Sequence, residues 1–284
     1  MPIKPFGRGP CRAAVLVCAL LAGVTLNPER PIAASDAVQQ PVFAGSSCVP
    51  KIQALTQAGA VTRLSRVGRR LSRLDPIRIL AIGSSSTQGV GASSPARSYP
   101  ARLEADLKAR WPKVQISVTN AGIGGETADI TVARLERLLA TQAFDLVIWQ
   151  LGTNDAVHGD DADGFRKQAL RGIAAGRAAG VDLFLLDPQY FPGIRDLNGY
   201  ERYVSIVKEV GDGEHVAVFQ RYAMMKFWGA QGEAGLLAAL SPDQFHMNDK
   251  GYGCLAEALT AEIGEMSEPA SVGSAQAITL SAKK

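Results

Sequence analysis

The chain is poor in the residues that build metal and redox sites. Its 284 residues include three histidines and four cysteines. No Cys-x-x-Cys pair and no His/Cys cluster appears, so a structural zinc is not expected. A Gly-x-Gly-x-x-Gly turn between a strand and a helix is also missing, which argues against a dinucleotide site. No apolar run is long enough to span a bilayer comfortably, the segment Ala13 to Val24 included. Charge of one sign is scarce as well. The formal net charge is +3, and Lys4, Arg8, Arg12 and Arg30 against Glu29 account for all of it within residues 1–35. The remainder is neutral, which removes any global electrostatic reason to expect nucleic acid or an anionic membrane as partner.

What is present is ordinary for a globular chain: 46% hydrophobic and 20% charged residues, with length for one α/β domain. Residues 1–35 read as an export leader, with a basic start, a short apolar stretch and the small residues Ala33, Ala34 and Ser35 at its end. A secreted or periplasmic protein is expected, with an uncleaved membrane anchor as the alternative. Residues 36–75 read as a linker followed by an amphipathic helix over 52–74. In that helix Leu64, Val67, Leu71 and Leu74 form one stripe and Arg63, Arg66, Arg70 and Arg73 the next, read as a solvated basic face. Residues 267–284 read as a small, polar, disordered tail. Removal of the leader takes away Cys11 and Cys18. Cys48 and Cys254 remain, either as a disulfide in an oxidising compartment or as two buried thiols.

Between these ends the pattern is strand, glycine turn, helix, repeated. Strands are expected over 77–82, 114–119, 146–151, 181–186 and 216–219, and helices over 99–110, 127–140, 163–179, 200–210 and 249–263. Near-continuous apolar strands suit a parallel sheet buried on both faces. The expected fold is therefore α/β: a three-layer α/β/α sandwich with a five-stranded parallel sheet, filling residues 76–266.

Four segments fall where an open parallel sheet receives a ligand, outside the carboxyl ends of its strands. Gly83-Ser84-Ser85-Ser86-Thr87 follows the first strand, which sets a serine at a helix N-terminus where developing negative charge is favoured. Asn120-Ala121-Gly122-Ile123-Gly124-Gly125-Glu126-Thr127 offers glycine N–H groups that approach a ligand closely. Gly152-Thr153-Asn154-Asp155 carries an amide fit to hold an oxyanion or to cap a helix. Ser241-Pro242-Asp243-Gln244-Phe245-His246, just ahead of the last expected helix, sets Asp243 three residues before His246, close enough for the carboxylate to hold imidazole Nδ1. Each segment alone is also an ordinary turn.

Together, in this order, the blocks IGSSSTQG, NAGIGGET, LGTND and DQFHMN resemble those of the SGNH hydrolases, the GDSL-like esterases and lipases. The resemblance runs from about Arg78 to Ala261. It implies a flavodoxin-like sheet and a serine esterase. It also implies Ser85 as nucleophile, His246 as general base and then acid, and Asp243 as its orienting partner. The oxyanion hole it implies consists of the Ser85 and Gly125 backbone N–H groups and the Asn154 side chain, with Gly124 as the neighbouring choice to Gly125. One departure stands out: the family's Asp before the nucleophile is Ser84 here. No metal or organic cofactor is implied.

The implied substrate is a small ester or an acetylated polysaccharide. Tyr190, with Phe191 and Pro192, is a candidate wall of its pocket or simply a packed turn. No long apolar insertion reads as a lipase lid, which favours small acyl groups. Transfer to an acceptor other than water and a non-catalytic carbohydrate-binding module on the same fold remain open. The mature chain is expected to bind no nucleic acid and to insert stably in no membrane, and its oligomeric state is open.

Overall fold

The computed structural model describes Cys48, residues 63–230 and residues 232–268. The expected leader, the linker, the first half of the helix over 52–74 and the tail beyond residue 268 lie outside the described residues.

The chain enters through α1 (Ser65–Arg73) and β1 (Ile77–Gly83), followed by α2 (Ser85–Gln88) and α3 (Tyr99–Arg110). β2 (Ile116–Gly122), α4 (Ala128–Thr141), β3 (Leu146–Gln150), α5 (Thr153–His158) and α6 (Ala162–Ala178) come next. β4 (Asp182–Leu186), α7 (Leu197–Gly213), β5 (Ala217–Phe219), α8 (Arg221–Ala230), α9 (Glu233–Leu237) and α10 (Asp249–Ser267) complete it. The five strands pair in parallel in the order β2-β1-β3-β4-β5, the doubly wound, flavodoxin-like order.

The layers follow from the two-residue period of strands, which sends neighbouring side chains to opposite faces. Ile79, Ala81, Ile148, Phe184 and Phe219 join one buried cluster with Leu103 and Leu107 of α3, Trp228 of α8 and Leu255 and Leu259 of α10. Leu80, Ile82, Val147, Trp149, Leu185 and Val218 join the other, with Val132 of α4, Phe165 and Ile173 of α6 and Val207 of α7. Burial on both faces is why the strands read as apolar runs rather than as alternation.

At the amino ends of the strands, α1 is tied down by charge as well as by Leu64 and Val67. Arg66 and Arg70 each donate to the carboxylate of Asp145, whose side chain is fully buried, and the Val67 N–H donates to Asp182. Two arginines of the expected solvated face are thus structural. The stripe also ends early: Leu74 takes a left-handed conformation (φ 57°) and is exposed. Cys48 and Cys254 form a disulfide with Cα atoms 5.2 Å apart.

Candidate active site

The carboxyl ends of β1, β2 and β3 carry three of the expected segments, and the fourth, in the loop before α10, meets the first of them through His246 and Ser85. After β1 the chain turns sharply into α2, so Ser85 opens the helix and is 9% exposed. Its N–H, in the first turn, has no partner within the helix. Ser84 replaces the family's Asp without leaving a gap. Its N–H and hydroxyl both donate to Gln150 Oε1 of β3, at 2.8 and 3.1 Å, and Thr87 donates to the same oxygen at 3.3 Å.

The loop before α10 carries the acid and the histidine. His246 Nε2 stands 2.9 Å from Ser85 Oγ, and His246 Nδ1 stands 2.6 Å from Asp243 Oδ2. The three side chains thus form one hydrogen-bonded row. Asp243 Oδ1 accepts from the Ser241 hydroxyl at 2.6 Å and from the N–H groups of Phe245 and His246 at 2.9 Å. Partial burial works to raise the Asp243 pKa. The hydrogen bonds from Ser241, the His246 ring and those two N–H groups outweigh it and hold the carboxyl well below the usual range. Asp243 therefore remains an anion facing Nδ1. Gln244 lies at the crest of the loop at φ 54°, and the Ser241 N–H to His246 O bond (2.8 Å) closes it.

The glycine block packs directly on α2. A Cβ at Gly122 would lie 2.0 Å from the Gln88 nitrogen, so only glycine permits this approach. The Gly124 N–H donates to Gln88 Oε1 at 2.8 Å, whereas Gly125, at φ 80°, has no acceptor for its N–H among the described residues. Of the two glycines considered, Gly125 is thus the one with a donor to offer. Asn154 sits in the first turn of α5, not at the end of β3. One amide N–H donates to Glu126 O at 2.8 Å, which leaves the other for a ligand. Glu126 is itself fixed by Arg134 of α4 at 2.6 Å, and Arg134 also donates to Ala121 O at 2.8 Å.

The acids after Asn154 cap helices rather than gather around a cation. Asp155 accepts from the Ala128 N–H that opens α4, and Asp161 from the Asp163 and Gly164 N–H groups that open α6. Among the described residues, no group of three or more His, Cys, Asp or Glu side chains is arranged to hold a metal ion.

Sequence reasoning missed Gln189. It is fully buried, accepts from the Ser86 hydroxyl at 2.7 Å and donates to Phe245 O at 2.9 Å. Its amide therefore bridges the neighbour of Ser85 to the neighbour of His246. The only sequence signal is a polar run, Asp187-Pro188-Gln189, at the end of an apolar strand. Beneath it lies Arg221, fully buried, whose Nε donates to Asp187 O at 3.0 Å and whose Nη2 donates to Thr153 Oγ1 at 3.2 Å. Burial pushes the Asp187 carboxyl up to about 7, against the opposing pull of the Tyr222 N–H and of Arg221. Tyr190, the expected pocket wall, packs beside this cluster on Tyr222, whose N–H donates to Asp187. Its ring packs 5.5 Å from Tyr222 and against Gly229 of α8. Phe191 takes the side facing the histidine, 4.7 Å from the Phe245 ring.

A model of the non-GDSL lipase-like family matches residues 49–268. The match spans most of the chain, so the chain belongs to this lipase-like family and is by class a carboxylic ester hydrolase. The family description suits a serine turn that reads Gly83-Ser84-Ser85-Ser86 rather than Gly-Asp-Ser-Leu. Esterase TesA of Pseudomonas aeruginosa is 27% identical over 168 residues, which cover 59% of this chain and 78% of that protein. Two solved structures share the fold. A two-domain esterase (CEX) active on acetylated mannans has a TM-score of 0.62 at 21% identity, over 78% of this chain and 59% of that one. This chain thus spans little more than half of that protein's length. A variant of Axe2, an acetyl xylan esterase from Geobacillus stearothermophilus, has a TM-score of 0.57 at 23% identity, over 70% of this chain and 99% of that one.

Proposed function

We propose that this protein is an exported serine esterase of the SGNH type that removes short acyl groups, acetyl above all, from the hydroxyls of a saccharide. Ser85 is the nucleophile, His246 the general base and acid, and Asp243 the anion that fixes the imidazole. The observation that carries this reading is the row Asp243–His246–Ser85, with contacts of 2.6 and 2.9 Å, beside donors that have no other acceptor.

In the first step His246 Nε2 takes the Ser85 proton as Oγ adds to the ester carbonyl. The oxyanion is met by the N–H groups of Ser85 and Gly125 and the second N–H of Asn154. Collapse of this intermediate breaks the bond to the alcohol, which leaves with the proton from His246. Water, deprotonated by His246, then adds to the acyl-enzyme, and the carboxylic acid departs as Ser85 regains its proton. Nothing in these two steps calls for a metal or an organic cofactor.

Two further observations support parts of the reading. A disulfide fits an oxidising compartment, and therefore removal of residues 1–35 during export, with the catalytic domain over 76–266. The acetyl xylan and acetylated mannan esterases among the structural relatives favour O-acetyl saccharides over long-chain lipids.

The test is turnover of p-nitrophenyl acetate at pH 8 by the chain starting at Asp36, beside Ser85→Ala. Both proteins must match in circular dichroism and melting. Turnover by the wild type, at least about 10³-fold above the variant, is the expected result. Equal rates, together with no labelling of Ser85 by a fluorophosphonate, would sink the proposal.

A further inference from the structure

Beside the candidate triad lies an open cleft of about 670 Å³ that no step above has used. It runs between α5 and the start of α7. Its walls include Val157 and His158 of α5, Arg195 and Arg202 on the α7 side, and the rings of Phe191 and Phe245. Both ends of the site border it. α5 begins with Thr153 and Asn154, while Phe245 precedes His246, and the two rings stand 4.7 Å apart at 87°.

We infer that this cleft holds the alcohol portion of the ester, and that this portion is an uncharged saccharide of a few residues. The inference rests on the esterase reading and deepens it. In acylation the departing oxygen must lie within reach of His246 Nε2 to receive its proton. The alcohol therefore leaves along the histidine side of the site, where Phe245 and Phe191 continue the surface away from the imidazole.

The chemistry of the walls selects the ligand. Arg195 and Arg202 are balanced by Asp160 and Asp196, so the cleft presents no net sign to attract an anion or a cation. An acyl chain would leave these charged groups facing hydrocarbon, at a cost in desolvation. A sugar suits both sets of groups. Its C–H faces pack on aromatic rings, and its hydroxyls donate to carboxylates and accept from guanidinium and imidazole N–H groups. A volume of about 670 Å³ leaves room for several rings rather than for one.

Two substitutions on the rim separate this role from the chemistry. Val157 is 51% exposed at the cleft edge, three residues beyond Asn154, and Arg202 has a side chain 63% exposed. Neither touches Ser85, His246 or Asp243. Val157→Arg should block the cleft and Arg202→Ala should remove a hydroxyl partner. Each is expected to lower kcat/KM at least about tenfold on acetylated xylotetraose or acetylated mannotetraose, and to leave p-nitrophenyl acetate within about twofold of wild type. Unchanged turnover of both tetraoses, or parallel loss on both kinds of substrate, overturns the inference. If the wild type hydrolyses no ester and Ser85 takes no fluorophosphonate, the esterase reading has failed by itself. Calorimetric titration of plain xylotetraose and mannotetraose into wild type and Val157→Arg then decides the cleft alone: binding lost in the variant upholds it, and equal or absent heat overturns it.

Discussion

Gln189 has no part in bond making, yet its amide spans the two loops that must meet. It holds Ser86 on one side and Phe245 on the other, while the Gln189 backbone carbonyl accepts from the Tyr200 hydroxyl at 2.7 Å. Gln189→Leu keeps the volume and removes both side-chain hydrogen bonds. The serine and histidine loops then lose their common strut, and small misplacements of reacting groups are costly. The variant is expected to lose on the order of 10²-fold in kcat on p-nitrophenyl acetate with KM nearly unchanged. A rise in KM with kcat preserved would show instead that Gln189 shapes binding. Residues of this kind escape sequence reading for a physical reason. Asp243 and His246 stand three residues apart, a spacing that Asp155 with His158 and Asp212 with His215 share, and Ser85 is marked by its glycine turn. Gln189 finds its partners 103 and 56 residues away, where no local spacing records them. Gln88 and Arg221 are hidden in the same way.

At the scale of elements, the strands and most helices were legible. α3 spans Tyr99–Arg110 as its pattern indicates, and the five apolar runs are the five strands to within two or three residues at each end. α7 starts at Leu197 rather than at Tyr200 because Asp196 caps it through the Gly199 N–H at 3.0 Å. α8 gave no amphipathic signal, since Arg221, Tyr222, Met224, Met225 and Trp228 are all buried and the helix lacks a broad polar face. One loop contact carries a consequence for the site. Gly91, at φ 90°, lies under the histidine loop, and a Cβ there would come within 2.4 Å of Met247 O and 3.0 Å of the His246 Cβ. Gly91→Ala must strain the backbone and shift that loop. It is expected to cost about 1–2 kcal/mol in stability. In kcat the same change should cost on the order of 10²-fold, because His246 moves with the loop. Melting curves and initial rates measured on one preparation check both, and an unperturbed kcat would show that the loop absorbs the added methyl group.

Across the whole molecule, repeated strand–turn–helix units are why a parallel α/β architecture could be read before any contact was known, while the flavodoxin-like order was implied by the resemblance alone. The network that stabilises that architecture could not be read in this way, and one buried acid gives it a dependence on pH. Glu262 of α10 is 2% exposed, and its Oε1 has no partner among the described residues. Burial, helped by Glu265, pushes its carboxyl up to about 8 from 4.5. In that window the unfolded chain has released the proton while the folded one retains it, so folding stability falls as pH rises from about 4.5 towards 8. Glu262→Gln cannot ionise. Its melting temperature should differ little from wild type near pH 4.5 and exceed it increasingly up to pH 8; parallel curves would show that Glu262 titrates normally.

The bond between Cys48 and Cys254 reaches across 206 positions of sequence and ends in the helix that immediately follows the histidine loop. Nearly every element described here, with Ser85, Gly125, Asn154, Asp243 and His246, is enclosed in that ring. Cleavage of one peptide bond anywhere inside it yields two polypeptides that still migrate as one molecule until a reductant is added. A nick in a surface loop between them therefore need not separate Ser85 from His246.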